Sequence, residues 1–295
     1  MAQRNFFQNK VALITGGSRG LGLQIARELC AHGAKVSLLA RNAEELASAK
    51  DHLQRFNSEV LTAECDLTQT ASIQSAVQQT LQRFGQIDIL INNAGIIEVG
   101  PLEHLQFKDF DRNLRLHFWA PYILFLLVTP QMRAKGGGRI VNISSIGGRI
   151  GVPHLAAYCA SKFALAGFSD AIRSELARDK IYVTTVTPGL MRTGSHVHAQ
   201  FKGDHYAEYK WFRSSLKLPL ASISVERAAR KIVRACRRGK PVLVMPFSTY
   251  LAIAATAVFP NLSARVMKLI NRALPERVSQ EGDTAKSGLA ITAAK

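Results

Sequence analysis

The chain is poor in acid. Among its 295 residues, 21 are Asp or Glu and 38 are Lys or Arg, leaving a formal net charge of +17. Such a surplus favours anionic partners, whether phosphates, acidic lipids or nucleic acid, without choosing among them. The basic residues are spread along the chain and lack the aromatic-basic order of nucleic-acid modules, so nucleic acid is not expected as a partner. Cysteine is scarce. Cys30, Cys65, Cys159 and Cys236 form no CxxC pair and no dense spacing, which points to reduced thiols in a reducing compartment. The opening MAQRNFFQNK has no apolar h-region, so no secretory signal is read and a cytoplasmic location is expected. No apolar run reaches the roughly 18 uninterrupted residues of a membrane span. Metal-ligand patterns are missing as well. His196, His198 and His205 lie near one another without the further ligands a metal needs, and are read as part of a polar lid, so no metal is expected.

What is present is a regular alternation. KVALIT (10–15), KVSLLA (35–40), EVLTAECD (59–66), IDILINNAG (87–95), GRIVNIS (138–144), IYVTTVTP (181–188) and PVLVM (241–245) read as strands. Helical patterns fall between them, at 23–33, 42–56, 69–84, 107–134, about 156–178 and 225–238. Successive βα units predict an α/β fold, a Rossmann-like doubly wound parallel sheet of about seven strands with helices on both faces. One domain over 1–275 is expected, with an excursion at about 190–222 as a substrate lid and a C-terminal extension at about 246–275. The polar, small-residue tail 276–295 is expected to be mobile.

TGGSRGLG (15–22) places Gly16, Gly20 and Gly22 between the first strand and the first helix. Glycine lets the backbone turn tightly and approach a pyrophosphate, and the helix start offers free N–H groups to its charge. Ser18, Arg19 and Leu21 fill the same turn. The spacing is GxxxGxG, and its position between strand and helix gives it weight that a glycine triplet alone lacks. In dinucleotide folds a carboxylate at the end of the second strand binds the ribose 2′-hydroxyl. Here that strand ends in Ala40-Arg41 with no carboxylate. Arg41, with Arg19, suits a 2′-phosphate, so NADP(H) is favoured over NAD(H). The alternative is that both are solvated surface arginines.

YCASK (158–162) sets Tyr158 and Lys162 four positions apart, on one helix face. A neighbouring ammonium stabilises a phenolate and lowers the tyrosine pKa, which would fit Tyr158 for proton transfer. Ser145 ends the strand RIVNISS, at the sheet edge where ligands bind, and its hydroxyl can hold a carbonyl oxygen. Cys159, next to Tyr158, points about 100° away around the helix and is read as a packed thiol.

Taken together these motifs resemble the short-chain dehydrogenase/reductase superfamily in its compact form, over about residues 10–193. The glycine turn resembles the family's cofactor turn. CDL (65–67) resembles its adenine-binding strand end, which puts Asp66 and Leu67 near the adenine. NNAG (92–95) resembles its fourth-strand motif, implying cofactor contacts from Asn93, Ala94 and Gly95. PGLMRT (188–193) resembles the segment along the nicotinamide, implicating Pro188, Gly189 and Thr193. The resemblance implies hydride transfer between nicotinamide and a carbonyl/secondary alcohol pair. Ser145 would hold the oxygen and Tyr158 would give or take the proton. Lys162 would lower the tyrosine pKa and bind the nicotinamide ribose. It also implies a homodimer or homotetramer assembled through the two long helices.

One position departs from the family pattern. DRNLRLHFWAP (111–121) puts His117 where an asparagine of the proton relay usually stands. His117 either replaces it as a hydrogen-bonding group that titrates near neutrality or is a buried packing histidine. If it marks a lost relay, the chain is a catalytically weak dinucleotide-binding sensor of the same fold. Phe201, Tyr206, Tyr209, Trp211 and Phe212 either line an apolar pocket or pack the lid to the body. The first case implies a bulky apolar substrate, such as a steroid-like, polyketide-like or fatty ketone. The apolar stretch 242–260 and the amphipathic, basic LSARVMKLINRAL (262–274) either pack on the fold or a partner subunit, or rest on an anionic membrane surface.

Overall fold

The computed structural model describes residues 6–56, 58–192, 194–216, 222–276, 278 and 280–293. Seven strands are β1 (Val11–Thr15), β2 (Lys35–Ala40), β3 (Val60–Glu64), β4 (Ile89–Asn92), β5 (Gly138–Ile143), β6 (Ile181–Pro188) and β7 (Val242–Met245). All pair in parallel, in the order β3-β2-β1-β4-β5-β6-β7. The expected doubly wound sheet is therefore present. The order reverses between β1 and β4, which brings the glycine turn and NNAG side by side at the carboxyl edge, where such sheets bind ligands.

Strand periodicity divides the core. Ala12 and Ile14 of β1 face one side, against α1 (Gly20–Cys30), α2 (Ala43–Gln54) and α8 (Val225–Arg238). Leu13 faces the other, against α3 (Thr70–Phe84), α5 (Ala120–Ala134) and α6 (Ala156–Ala177). Every residue of β1 is buried, as an apolar run covered on both faces requires. The expected helix over 107–134 is interrupted. α4 (Phe107–Leu114) passes through a π turn at Arg115–Trp119 into α5, and His117 sits within that turn. Such insertions redirect side chains and concentrate at functional positions.

A third, smaller core lies beyond the sheet edge. Short strands at Glu98–Val99, Gln200–Phe201 and Lys286–Ser287 form a three-stranded sheet. Phe201, Tyr209 and Phe212 are buried there with Val99 and Ile291, and Trp211 packs against them. α7 (His205–Ser215) carries these aromatics, while Tyr206 is exposed. The two readings of the aromatic segment thus resolve, for Phe201, Tyr209 and Phe212, in favour of packing.

The C-terminal segment corrects the expectation of a mobile tail. Lys286–Ser287 pairs with Gln200–Phe201, and α11 (Gly288–Ala293) buries Ile291. Asp283 accepts a hydrogen bond from His104 Nδ1 at 2.7 Å. The composition of this segment is polar, but strand pairing, one buried isoleucine and a hydrogen-bonded aspartate dock it. The remaining helices, α9 (Phe247–Val258) and α10 (Pro260–Arg272), form a hairpin bent by 118°. Among the described residues no single helix is long and apolar enough to cross a membrane.

Candidate active site

The glycine turn is built for close approach. Gly16 and Gly20 adopt φ of +62° and +55°, and a Cβ on Gly22 would lie 2.1 Å from the Gly16 carbonyl oxygen. No side chain caps the start of α1, so its first N–H groups are left for an anion. The turn is held from behind by a residue sequence reading missed. Thr15 Oγ1 accepts from the Asn93 and Ala94 amides at 2.9 and 3.0 Å and donates to the Ile91 carbonyl at 3.3 Å. Asn93 Nδ2 returns to the Thr15 and Gly16 carbonyls at 3.0 and 3.2 Å. The side chain of Asn93 therefore braces the turn. Asn92 donates to Asn142 at 2.7 Å, and Asn142 to Ser169 at 2.8 Å, tying β4 through β5 to α6.

The expected arginine pair is divided. Arg19 Nη1 lies 2.8 Å from Glu45 Oε1, and Ser18 Oγ donates to Glu45 Oε2 at 2.8 Å. Glu45 is the second missed residue, and its signal was present in Asn-Ala-Glu-Glu. Asn42 caps α2 by accepting from the Glu45 amide at 2.8 Å, which fixes Glu45 on the first helical turn, facing the glycine loop. Arg41 is exposed and has no partner among the described residues. Asp66 Oδ1 accepts from the Thr68 amide and hydroxyl at 2.9 and 2.8 Å, closing the turn after β3, and Leu67 is buried behind it. The pieces fit a dinucleotide: a glycine cradle that a Cβ would fill, uncapped amides, a guanidinium at the β2 end and another in the glycine turn. Thr193 lies outside the described residues.

Ser145, Tyr158, Lys162 and His117 converge at the carboxyl ends of β4 and β5. Ser145 accepts from the Gly147 amide at 3.1 Å and hydrogen-bonds the Tyr158 phenol. Lys162 is buried, its ammonium nitrogen 5.8 Å from the Tyr158 ring centre and donating to the Ile143 carbonyl at 2.9 Å. The geometry agrees with the i, i+4 reading, but the electrostatics correct it. Burial pushes the Tyr158 phenol up to about 12, with the Ser145 hydrogen bond opposing, and burial alone lowers Lys162 to about 7. Without cofactor the phenol is a protonated acid at neutral pH, and the lysine is close to its titration midpoint.

His117 is likewise settled by its neighbours. Its Nε2 accepts from the Ile96 amide at 3.1 Å, which leaves the proton on Nδ1. Nδ1 then donates to Ser161 Oγ at 2.7 Å, and Ser161 donates to the Tyr158 carbonyl at 2.8 Å. Burial first, and the Lys162 charge second, hold the ring well below the usual histidine range. Of the two readings of His117, the buried, hydrogen-bonded one agrees with the structure and titration near neutrality does not: His117 is a neutral, fully bonded imidazole. Its ring meets Tyr158 edge-on with centres 5.6 Å apart. Gly95 has to be glycine beside it, since a Cβ there would lie 2.8 Å from Nε2.

The histidines at 196, 198 and 205 take different partners. His196 packs beside Tyr209, His198 stands near Arg19 and Glu45, and His205 Nε2 lies 2.6 Å from the Thr284 carbonyl. No group of three or more potential ligands with metal geometry occurs among the described residues. Cys159 is buried, and burial raises its thiol above the ordinary value.

A cofactor cradle over a Ser-Tyr-Lys set, on a seven-stranded parallel sheet, defines a nicotinamide oxidoreductase of the Rossmann type. The short chain dehydrogenase family model matches residues 10–201, and the chain belongs to that family. It is 32% identical over 288 residues to a fatty acyl-CoA reductase of Acinetobacter baylyi, covering 97% of this chain and 92% of that protein. It is 33% identical over 284 residues to dehydrogenase/reductase SDR family member 7B of Rattus norvegicus, covering 93% and 85%. Among solved structures, L-sorbose reductase of Gluconobacter frateurii complexed with NADPH and L-sorbose superimposes with a TM-score of 0.73 at 28% identity, covering 81% of this chain and 95% of that one. A short-chain dehydrogenase from Streptomyces avermitilis gives 0.75 at 27% identity, covering 90% and 98%.

Proposed function

We propose that the protein is an NADPH-dependent reductase of a bulky apolar carbonyl compound, a long-chain fatty carbonyl in particular. The observation that carries the reaction class is the phenol of Tyr158, hydrogen-bonded to Ser145 and beside buried Lys162. Bound nicotinamide supplies the hydride. Ser145 and Tyr158 hold the substrate oxygen, and the phenol, protonated at neutral pH, hands it a proton as negative charge develops there. A protonated phenol is the form that reduction consumes. Lys162 binds the nicotinamide ribose and, poised at about 7, returns a proton to the tyrosine after turnover. His117 positions this machinery by fixing Ile96 and, through Ser161, the backbone of Tyr158.

Preference for NADPH rests on Arg41, unpaired where NAD-selective folds place a carboxylate, and on Arg19. Glu45 opposes it, because the 2′-phosphate would compete with this carboxylate for Arg19 and Ser18. Glu45→Gln is therefore expected to tighten NADPH about five- to tenfold with little change in NADH affinity, read by fluorescence titration. An equal effect on both cofactors would remove Glu45 from the 2′-phosphate region.

The substrate class rests on the apolar side chains Ile97, Leu155 and Leu190, which stand within three residues of Gly95, Tyr158 and Gly189 in sequence and pack against the third core, and on likeness to a fatty acyl-CoA reductase. Assembly through α4–α5 and α6 is supported by the aromatic cluster of Phe118, Trp119, Tyr122, Phe125 and Phe168, with Trp119 half exposed at 49%. The test is NADPH oxidation, followed by absorbance, against small polar and long-chain carbonyls. Turnover confined to the polar set would reject the apolar reading. NADPH binding without turnover of either set would favour a sensor.

A further inference from the structure

The hairpin of α9 and α10 is the least covered part of the molecule. α9, FSTYLAIAATAV, has no charged residue, yet among its side chains only Thr249 is buried. Phe247 is 72% exposed, Val258 66% and Leu269 65%, and Tyr250, Leu251, Phe259, Leu262 and Val266 are exposed with them. α10 buries nothing. Exposed apolar surface on this scale marks a docking face. Its 118° bend and the three basic residues of α10 exclude a straight span and suit a wedge lying in an interface.

The charge beside it identifies the partner. On α10, Arg265, Lys268 and Arg272 recur at helical spacing along one flank of the Leu262–Val266–Leu269 face. On α8, Arg227, Arg230, Lys231 and Arg234 form an exposed stripe opposite buried Ala228, Ile232 and Val233. None of these seven cations has a carboxylate partner among the described residues. The α8 stripe lines a cleft of about 380 Å³ with Ser222, Ser224 and Pro246, the residue at which α9 begins. Apolar wedge and cationic comb are thus continuous. A second copy of this chain would have to bring two such combs together against a net charge of +17, which like-charge repulsion opposes.

We infer that the α9–α10 hairpin docks on an anionic phospholipid bilayer, its apolar face entering the acyl boundary while the arginines and lysines of α8 and α10 hold headgroup phosphates. The root of the hairpin adjoins the site: a Cβ on Gly189 would lie 2.2 Å from Thr249 Oγ1, and the Gly189 amide donates to the Met245 carbonyl at 2.8 Å. The docked hairpin therefore has its root next to the Pro188–Gly189 turn.

The full-length protein is tested by flotation with phosphatidylglycerol-containing vesicles and with pure phosphatidylcholine vesicles. Co-flotation with the anionic vesicles, weakened by salt, is expected. The variant Leu251→Glu/Leu269→Glu should abolish it, and Arg230→Gln/Arg234→Gln should weaken partitioning about thirtyfold, since each cation near an anionic surface contributes a few-fold factor. All these side chains are exposed and lie outside the site, so NADPH binding and thermal midpoint should stay at wild-type values and report folding. Failure of the wild type to float with anionic vesicles would overturn the inference. So would equal binding to neutral vesicles, or flotation that survives the glutamate variant. Light scattering showing an assembly that the glutamate variant reduces to a smaller one, with no vesicle binding in either, would assign the face to a second copy instead. None of these readouts depends on turnover, so the inference can fail while the reductase reading stands, and the reverse.

Discussion

Tyr158→Phe is expected to lower turnover in NADPH-dependent carbonyl reduction by on the order of 10²–10⁴-fold, the range that a positioned proton donor contributes. The substitution removes one hydroxyl and keeps the ring, its edge-on contact with His117 and the helix around it. NADPH should still bind, so the loss should fall on the maximal rate. The same pair makes a pH statement. With the phenol at about 12 and Lys162 at about 7, reduction should be sustained through neutrality and fall as pH rises past 7, when the lysine loses the proton it returns. Steady-state measurements across pH 6–9 would check this, since a profile flat to about pH 9 would remove Lys162 from the proton path. Residual activity in Tyr158→Phe near the wild-type level would move the acid to another group, with Ser145 the first candidate.

Lys162→Met is expected to abolish turnover and at the same time stabilise the fold. The wild-type ammonium, ordinarily near 10.5, titrates at about 7 because it is buried with one carbonyl partner. Between these values the unfolded chain binds more protons than the folded one, so wild-type stability rises with pH from about 7 to 10.5. Below 7 the full penalty of a buried charge applies, and at neutrality it amounts to about 4 kcal/mol. Methionine has similar length and no charge, so most of this should be recovered, less about 1 kcal/mol for the lost hydrogen bond to Ile143. Denaturant midpoints of the two proteins should differ most at pH 6 and converge toward pH 10. A difference independent of pH would attribute the effect to packing rather than to the charge.

The seven strands of the main sheet and most helices on its faces were legible in the sequence, and the grouping of Ser145, Tyr158 and Lys162 followed from the family resemblance. α7, α9 and the short strands of the third core were not read. Alternating periodicity fixes elements, and the order of parallel βα units fixes which strand ends meet. What escaped the reading depends on contacts that no local pattern encodes. Glu45 reaches the glycine loop across the gap between two helix starts, and only its cap with Asn42 could have flagged it. The π turn at Arg115–Trp119 leaves no mark on apolar spacing, so the inward aim of His117 was visible but its bonds were not. The tyrosine–lysine pair was read by proximity, as an ammonium tuning a phenol. In the folded protein, desolvation outweighs proximity and moves the two groups in the opposite sense. The tail was judged by composition, which averages over the few residues that anchor it.

That anchoring has a consequence for the order of assembly. The three-stranded sheet begins at Glu98–Val99 and is finished by Lys286–Ser287, and the His104–Asp283 contact closes a loop of 179 residues. During synthesis the seven-stranded sheet has all its strands once residue 245 has emerged. The third core must wait for the segment that contains Ile291. A nascent chain can therefore complete its seven-stranded body while the third core is still unfinished, and that core closes only when Lys286–Ser287 returns to Gln200–Phe201, a strand made some 85 residues earlier.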